Sequence, residues 1–138
     1  PDDFTPRRAF QNQLDRKVAG LTSTANGQSY TGGLLAFDFD HPNGMLNSLG
    51  DGLQNPDETL LGSGSSAANA LNLEGSTVQG DSGGPLFVRD TDGIWKVAGV
   101  LSGGADEPII DHPDGSYGDI SIYIRVATAR DWIAEVIE

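Results

Sequence analysis

Residues 80–88 read Gly80-Asp81-Ser82-Gly83-Gly84-Pro85-Leu86-Phe87-Val88, a glycine-rich turn that runs directly into a short apolar strand. Proline is tolerated at the first position of a strand, so Pro85 marks where the turn ends and the strand starts. The Asp92-Gly93 pair then reverses the chain, and residues 95–102 form the returning strand of a hairpin. Further on, Ile120-Ser121-Ile122-Tyr123-Ile124-Arg125-Val126 alternates apolar with other residues, as a half-buried strand does. Upstream, Gly33-Leu34-Leu35-Ala36-Phe37-Asp38-Phe39 is a short apolar run bounded by turn formers and predicts another strand. Residues 17–21 predict a further one, and Asn26-Gly27 a hairpin turn.

Between these strands lie two polar stretches. Residues 40–69 are dominated by Gly, Asn, Ser, Asp and Pro, with Thr59-Leu60-Leu61 as a short strand candidate, and predict a surface insertion. Residues 105–118 form a second, acidic loop. The chain closes with a predicted helix over 128–137, capped by Thr128 with Asp131 three positions on. Its apolar stripe of Trp132, Ile133, Val136 and Ile137 is expected to pack on the sheet.

The composition agrees with an all-β, turn-rich fold: 138 residues, 19 Gly and 7 Pro, with 37 % hydrophobic residues, suffice for one modest core. Twenty acidic residues against 8 basic ones give a net charge of -12, which repels phosphate backbones and anionic lipid, so neither nucleic acid nor membrane is an expected partner. There is no cysteine, which excludes a disulfide framework and thiol chemistry.

The hexapeptide Gly80 to Pro85 carries the chemistry. Its chance occurrence in a chain this rich in glycine has odds of about 10⁻⁴. Two backbone NH groups must converge on one point to stabilise the oxyanion of a tetrahedral intermediate, and Gly80 and Ser82 are placed to donate them. Glycine at 80 lets that peptide turn its NH toward the hole, and Gly83 and Gly84 leave room for a substrate and for strand packing. Asp81 is expected to be buried and paired, supporting the loop. Gly80-Asp81-Ser82-Gly83-Gly84 also satisfies Gly-x-Ser-x-Gly, the nucleophile elbow of α/β-hydrolases and the basis of an esterase or lipase alternative. An elbow needs a helix directly after the serine, and Pro85-Leu86-Phe87-Val88 predicts strand.

The sequence resembles the chymotrypsin/trypsin family of serine proteases, as a bacterial-type member. After the nucleophile motif, Gly99-Val100-Leu101-Ser102-Gly103-Gly104 resembles the family's Gly-Val/Ile-Val-Ser-Trp-Gly strand, with Gly103 where tryptophan is usual. Ile122-Tyr123-Ile124-Arg125-Val126 resembles its Val-Tyr-Thr-Arg-Val strand, and Trp132-Ile133 the start of its terminal helix. Residues 75–137 are covered well, residues 1–74 only loosely. The resemblance implies the C-terminal antiparallel β-barrel of the two-barrel fold, spanning residues 1–138, with a short C-terminal helix and the N-terminal barrel absent from the chain. It implies peptide-bond hydrolysis with Ser82 as nucleophile, and it places Gln79, Ser102, Gly103 and Gly104 along the substrate.

In the family the catalytic histidine and aspartate lie far upstream. His41 stands too close to Ser82 for that role, and both His41 and His112 are expected to be exposed loop residues. The triad's base and orienting acid are therefore expected on a separate N-terminal fragment of a cleaved two-chain enzyme, secreted or extracytoplasmic (bacterial extracellular or periplasmic). The non-enzyme alternative is a protease-homology domain that binds a partner through the same cleft.

Six residues before the nucleophile, Ser76 occupies the floor of the family's primary specificity pocket, and Ser121 a wall position that is usually glycine. A neutral floor implies a small to medium apolar residue before the scissile bond. The rival is that Asp106, Glu107 or Asp119 reaches in and restores basic specificity. No organic cofactor is expected. A structural calcium ion could be gathered by Asp38 and Asp40, or by the loop 106–114. Val78 stands where the family has a disulfide cysteine, so the pocket walls must be held by packing.

Overall fold

A computed structural model describes residues 9–18, 22–25, 28–31, 33–50, 61, 65–105 and 113–137, with backbone alone in 22–25 and 28–31. Strands β1 (Arg16–Val18), β2 (Thr22–Ala25), β3 (Gln28–Thr31), β4 (Leu34–Asp38), β5 (Pro85–Arg89), β6 (Trp95–Ala105) and β7 (Ile120–Arg125) precede a 3-10 turn (Val126–Ala129) and helix α1 (Arg130–Ile137). Five strands form one sheet in the order β1-β4-β7-β6-β5, and β2 and β3 form a separate ribbon. All these pairings are antiparallel, as the all-β expectation required. Ala25 stands opposite Gln28, so the two strands that flank Asn26-Gly27 do form a hairpin. The strand expected over 17–21 starts one residue earlier, at Arg16, and is described as far as Val18; residues 19–21 lie outside the described residues.

Strand β4 explains why an unbroken apolar run suits this position. Its side chains alternate between two apolar layers, one on each face of the sheet. Leu35 and Phe37 pack with Leu101 and Tyr123, while Ala36 packs with Val18, Leu49, Leu61 and Ile120. Phe37 lies 5.6 Å from the Tyr123 ring and meets Phe10 edge-on at 6.1 Å. Burying a side chain of this size contributes about 1.5–3 kcal/mol, so β4 and β7 anchor the sheet.

Strand β6 is bulged twice. Leu101 faces Tyr123 and Gly103 faces Ile122, which leaves Ser102 as an extra residue, and Ala98 is extra between the partners of Leu86 and Phe87. Bulges re-aim side chains and add local twist. At Gly104 a Cβ would lie 2.7 Å from the Ile120 carbonyl oxygen, so only glycine lets β6 and β7 approach there.

The described part of residues 40–69 is not a surface excursion. Asn47, Ser48, Leu49 and Leu61 are buried, the two leucines in the core layer of Ala36. The Leu49 NH donates to Asp38 Oδ2 at 2.9 Å, and Ser48 Oγ donates to the Gly118 carbonyl at 2.6 Å. Thr59 and Leu60 lie outside the described residues. The start of the C-terminal helix also differs from expectation. Val126 leaves the strand for a 3-10 turn, Thr128 Oγ1 donates back to the Arg125 carbonyl at 2.7 Å, and α1 starts at Arg130. Trp132, Val136 and Ile137 remain 45 %, 63 % and 77 % exposed instead of packing on the sheet; Ile133 is the residue of that stripe that is half-buried.

Asp38 is wholly buried, with Oδ1 accepting from Ser66 Oγ at 3.2 Å. Asp15 joins it across the loop, its Oδ1 accepting from the Ala67 NH at 3.3 Å. Burial first, and the negative charge of Asp38 second, push the Asp15 carboxyl from its ordinary 3.8 up to about 6. Between those values the folded chain holds a proton that the unfolded chain has released, so this group's contribution to stability falls as pH rises through that window. We expect Asp15→Asn to be more stable than the parent at pH 7 and equal to it near pH 4, measured as the difference between urea midpoints across that range.

Candidate active site

The turn that carries Ser82 is tied on both sides. Within it, the Asp81 NH donates to the Val78 carbonyl at 3.1 Å, the Gly84 NH to the Asp81 carbonyl at 2.9 Å, and the Val78 NH to Asp81 Oδ2 at 3.0 Å. Against β6, the Gly83 NH donates to the Leu101 carbonyl at 3.0 Å and the Leu101 NH to the Gly84 carbonyl at 2.8 Å. Gly80 and Gly83 adopt φ of 105° and 87°, in the region that glycine alone enters freely. Among the described residues no protein group accepts the Gly80 or Ser82 NH, so both donors are available to a ligand. Asp81 is exposed, not buried as expected; it supports the loop through its bond to Val78. Beneath the turn, burial raises the Tyr123 phenol above its usual range, and the charge of Asp81 adds to that.

Ser82 stands at a cavity of about 410 Å³. Thr77, Val78 and Gln79 line it from the same segment, Leu101, Gly103, Gly104 and Ala105 from β6, and Asp114, Asp119 and Ile120 from the segment leading into β7. Of the residues assigned to substrate, Gln79, Gly103 and Gly104 are thus brought together with Ser82. Ser102 is exposed at its bulge and not on the cavity wall. Ser76 and Ser121 sit behind Thr77. The fully buried Ser121 hydroxyl lies 2.8 Å from Thr77 Oγ1 and 3.4 Å from Ser76 Oγ, and it accepts from the Thr77 NH at 3.3 Å.

Among the described residues, the charged side chains on the cavity wall are acidic. Asp119 Oδ2 accepts from the Gly115 and Ser116 NH groups at 2.8 and 2.9 Å, folding the turn at 114–119. Asp114 Oδ2 accepts from the Gln79 NH at 2.5 Å and so joins that turn to the segment before Ser82. Asp119 was visible from sequence as a rival source of charge. Asp114 was visible only as one member of an acidic loop, because nothing in a sequence ties it to a residue 35 positions away.

His41 is half-buried, not exposed. Its ring meets Tyr117 edge-on with centroids 4.6 Å apart, and its Nδ1 accepts from the Asn43 NH at 3.2 Å. His112, Asp106, Glu107 and Asp111 lie outside the described residues. Among the described residues no group of three or more potential metal ligands occurs, and Asp38 is engaged by Leu49 and Ser66. Ser82 is followed by a turn and then by β5, so the helix that a nucleophile elbow requires is replaced by strand.

The antiparallel sheet, its bulged β6 and the short terminal helix define half of a trypsin-like β-barrel. The sequence profile described as Trypsin matches residues 56–133, more than half of the chain, and the chain belongs to the trypsin family. It is similar to mouse Transmembrane protease serine 11C, 47 % identical over 55 residues that make up 40 % of this chain and 11 % of that protein. Mouse Chymotrypsin-C is 36 % identical over 63 residues, 46 % of this chain and 22 % of the relative. Phenoloxidase-activating enzyme 1 of Spodoptera litura is 41 % identical over 59 residues, 43 % and 14 % of the two lengths. The chain spans under a quarter of the length of each of these relatives. Among the described residues no helix is long and apolar enough to cross a membrane.

At Gly80 a Cβ would meet nothing within 4 Å, so a substitution there is opposed by backbone conformation alone. We expect Gly80→Ala to lower unfolding free energy by about 1–3 kcal/mol, the cost of holding a strained φ. Gly103→Ala, with equal space and no positive φ, should leave stability unchanged or slightly raised. Denaturant midpoints of the two variants check the contrast.

Proposed function

We propose that this chain is the nucleophile-bearing part of a serine endopeptidase that cleaves protein or peptide substrates through an acyl-enzyme. The observation that carries the reading is Ser82 on a turn whose Gly80 and Ser82 NH groups have no protein acceptor among the described residues, at the mouth of a cavity. Family membership supports it independently.

In the proposed reaction Ser82 Oγ attacks the scissile carbonyl carbon and gives its proton to a histidine. The carbonyl oxygen becomes an oxyanion and accepts from the Gly80 and Ser82 NH groups. The C–N bond then breaks, the leaving amine takes the histidine's proton, and Ser82 is left as an ester. Water adds to that ester, giving a proton back to the histidine, and the C–Oγ bond breaks to release the acid and regenerate the serine. Asp81 holds the turn in place. The histidine and its orienting aspartate come from an upstream polypeptide, the other piece of a cleaved two-chain enzyme acting outside the cytoplasm.

Fluorophosphonate labelling of the intact protein, upstream polypeptide included, tests this. The expected result is one label per molecule at Ser82, abolished in Ser82→Ala and lost when the upstream polypeptide is separated. Intact protein whose Ser82 stays unlabelled would instead be a protease-homology binding domain.

A further inference from the structure

The Ser82 turn meets the sheet through Gly83, Gly84 and Leu101, but the proposed oxyanion donor at Gly80 stands on its other limb. Nothing about residue 80 itself fixes that NH. An added Cβ there would meet nothing within 4 Å, and a φ of 105° is one of many conformations that glycine enters freely. The direction of the 79–80 peptide must therefore be set by the peptide before it, which shares the Gln79 Cα. That neighbouring peptide is held from outside the turn, because the Gln79 NH donates to Asp114 Oδ2 at 2.5 Å.

Asp114 is the tip of a braced arm. Asp119 Oδ2 accepts from the Gly115 and Ser116 NH groups, and Ser116 Oγ donates to the Pro113 carbonyl at 2.6 Å, so the turn is closed from within. At its base the Gly118 NH donates to the Phe39 carbonyl at 2.7 Å, and the Phe39 NH donates to the Asp119 carbonyl at 2.9 Å. The Tyr117 and Phe39 rings lie 4.6 Å apart, and Ser48 Oγ donates to the Gly118 carbonyl. The arm thus takes its position from the end of β4 and the buried segment around Ser48, not from the Ser82 turn. Where the two meet, Val78 packs against Gly115, at which an added Cβ would lie 2.7 Å from Val78 Cγ1. The chain has no cysteine, so no disulfide within it can clamp these segments, and a carboxylate–amide bond joins them instead. An ionised acceptor makes such a bond stronger than a neutral one.

We infer that Asp114 is a positioning residue for the oxyanion site: by holding the Gln79 NH, it keeps the adjoining Gly80 NH in place as a donor. It acts on the reaction through Gly80 and touches no reacting atom. Asp119 and the bonds to Phe39 and Ser48 carry the arm that makes this possible. The inference rests on the proposed peptidase activity, with Ser82 as nucleophile. Donors fixed in advance matter where charge develops, so loss of Asp114 should fall on bond formation at Ser82 more than on the folded state.

The test uses the intact protein, upstream polypeptide included, with a fluorophosphonate and an arylboronic acid as probes. Asp114→Ala removes the acceptor, whereas Asp114→Asn keeps a neutral one. Asp114→Ala should slow labelling of Ser82 by at least about tenfold, a part of the 10²–10³ that removal of an oxyanion donor costs, and should weaken boronate binding by a similar factor. Asp114→Asn should lose only about threefold on each, because a neutral acceptor still holds the amide. A role confined to stability would lower the urea midpoint and leave both probes within about twofold of the parent, and that result overturns the inference. Equal losses in Asp114→Asn and Asp114→Ala overturn it too, since charge and not the bond would then be at work. Should Asp114→Ala fail to fold, Asp114→Asn and the Gln79 amide of the parent decide. Slowed labelling in Asp114→Asn together with amide exchange slowed at least about tenfold supports the inference, and unchanged labelling or an unprotected amide overturns it. Labelling of the parent separates the two levels. A labelled Ser82 that is indifferent to Asp114 defeats this inference alone, whereas an unlabelled Ser82 defeats the proposed activity and this inference with it.

Discussion

The pair of backbone hydrogen bonds between Gly83, Gly84 and Leu101 joins the Ser82 turn to the sheet, and the geometry of the site follows from it. Leu101 is itself buried against Leu35, Phe37 and Tyr123, so the turn is referenced to the best-packed part of the core. With that edge fixed, Val78 and Asp81 close the other side, and Gly80 must pass through positive φ between them. The availability of two NH groups beside Ser82 is therefore a consequence of core packing, of one glycine and of the Asp81 carboxylate that accepts from the Val78 NH. This is the kind of preorganisation that electrostatic catalysis requires, because the donors need not move when charge develops.

The second constraint is the close approach of β6 to β7. Gly104 lies against the Ile120 carbonyl, and the bulge at Ser102 shifts the register just before it. Together they let Gly103, Gly104 and Ala105 form one wall of the cavity, while the segment entering β7 brings Asp114 and Asp119 to another. Two acids are thus held near a serine in a chain already rich in negative charge. Their local effect is set by the hydrogen bonds to Gln79, Gly115 and Ser116 rather than by net charge.

Much of the second half was legible because its signals are local. The Asp92-Gly93 turn, the apolar run after Pro85 and the alternation from Ile120 specify their strands within a few residues, and the hexapeptide specifies its own turn. What was not legible depends on contacts distant in sequence. Leu49 and Leu61 sit in polar, turn-rich stretches, and only the surface they cover reveals them as core. Asp15 and Asp38 are ordinary acids until folding places them together. The α1 stripe matches a packing face by period, yet period cannot say what covers a face, and Trp132, Val136 and Ile137 remain exposed. Asp81 was expected to be buried, and its short-range bond to Val78 supports the turn without burial.

In the proposed reaction the Gly80 and Ser82 NH groups form the oxyanion site for a bond made at Ser82. A crystal structure of the intact protein with an arylboronic acid tests it most directly, because a tetrahedral boronate on the serine imitates the intermediate. The expected structure has a boron–Oγ bond at Ser82 and one boronate oxygen within hydrogen-bond distance of both NH groups. A boronate bonded elsewhere, or a Gly80 peptide turned so that the oxygen meets no NH at that position, would contradict it.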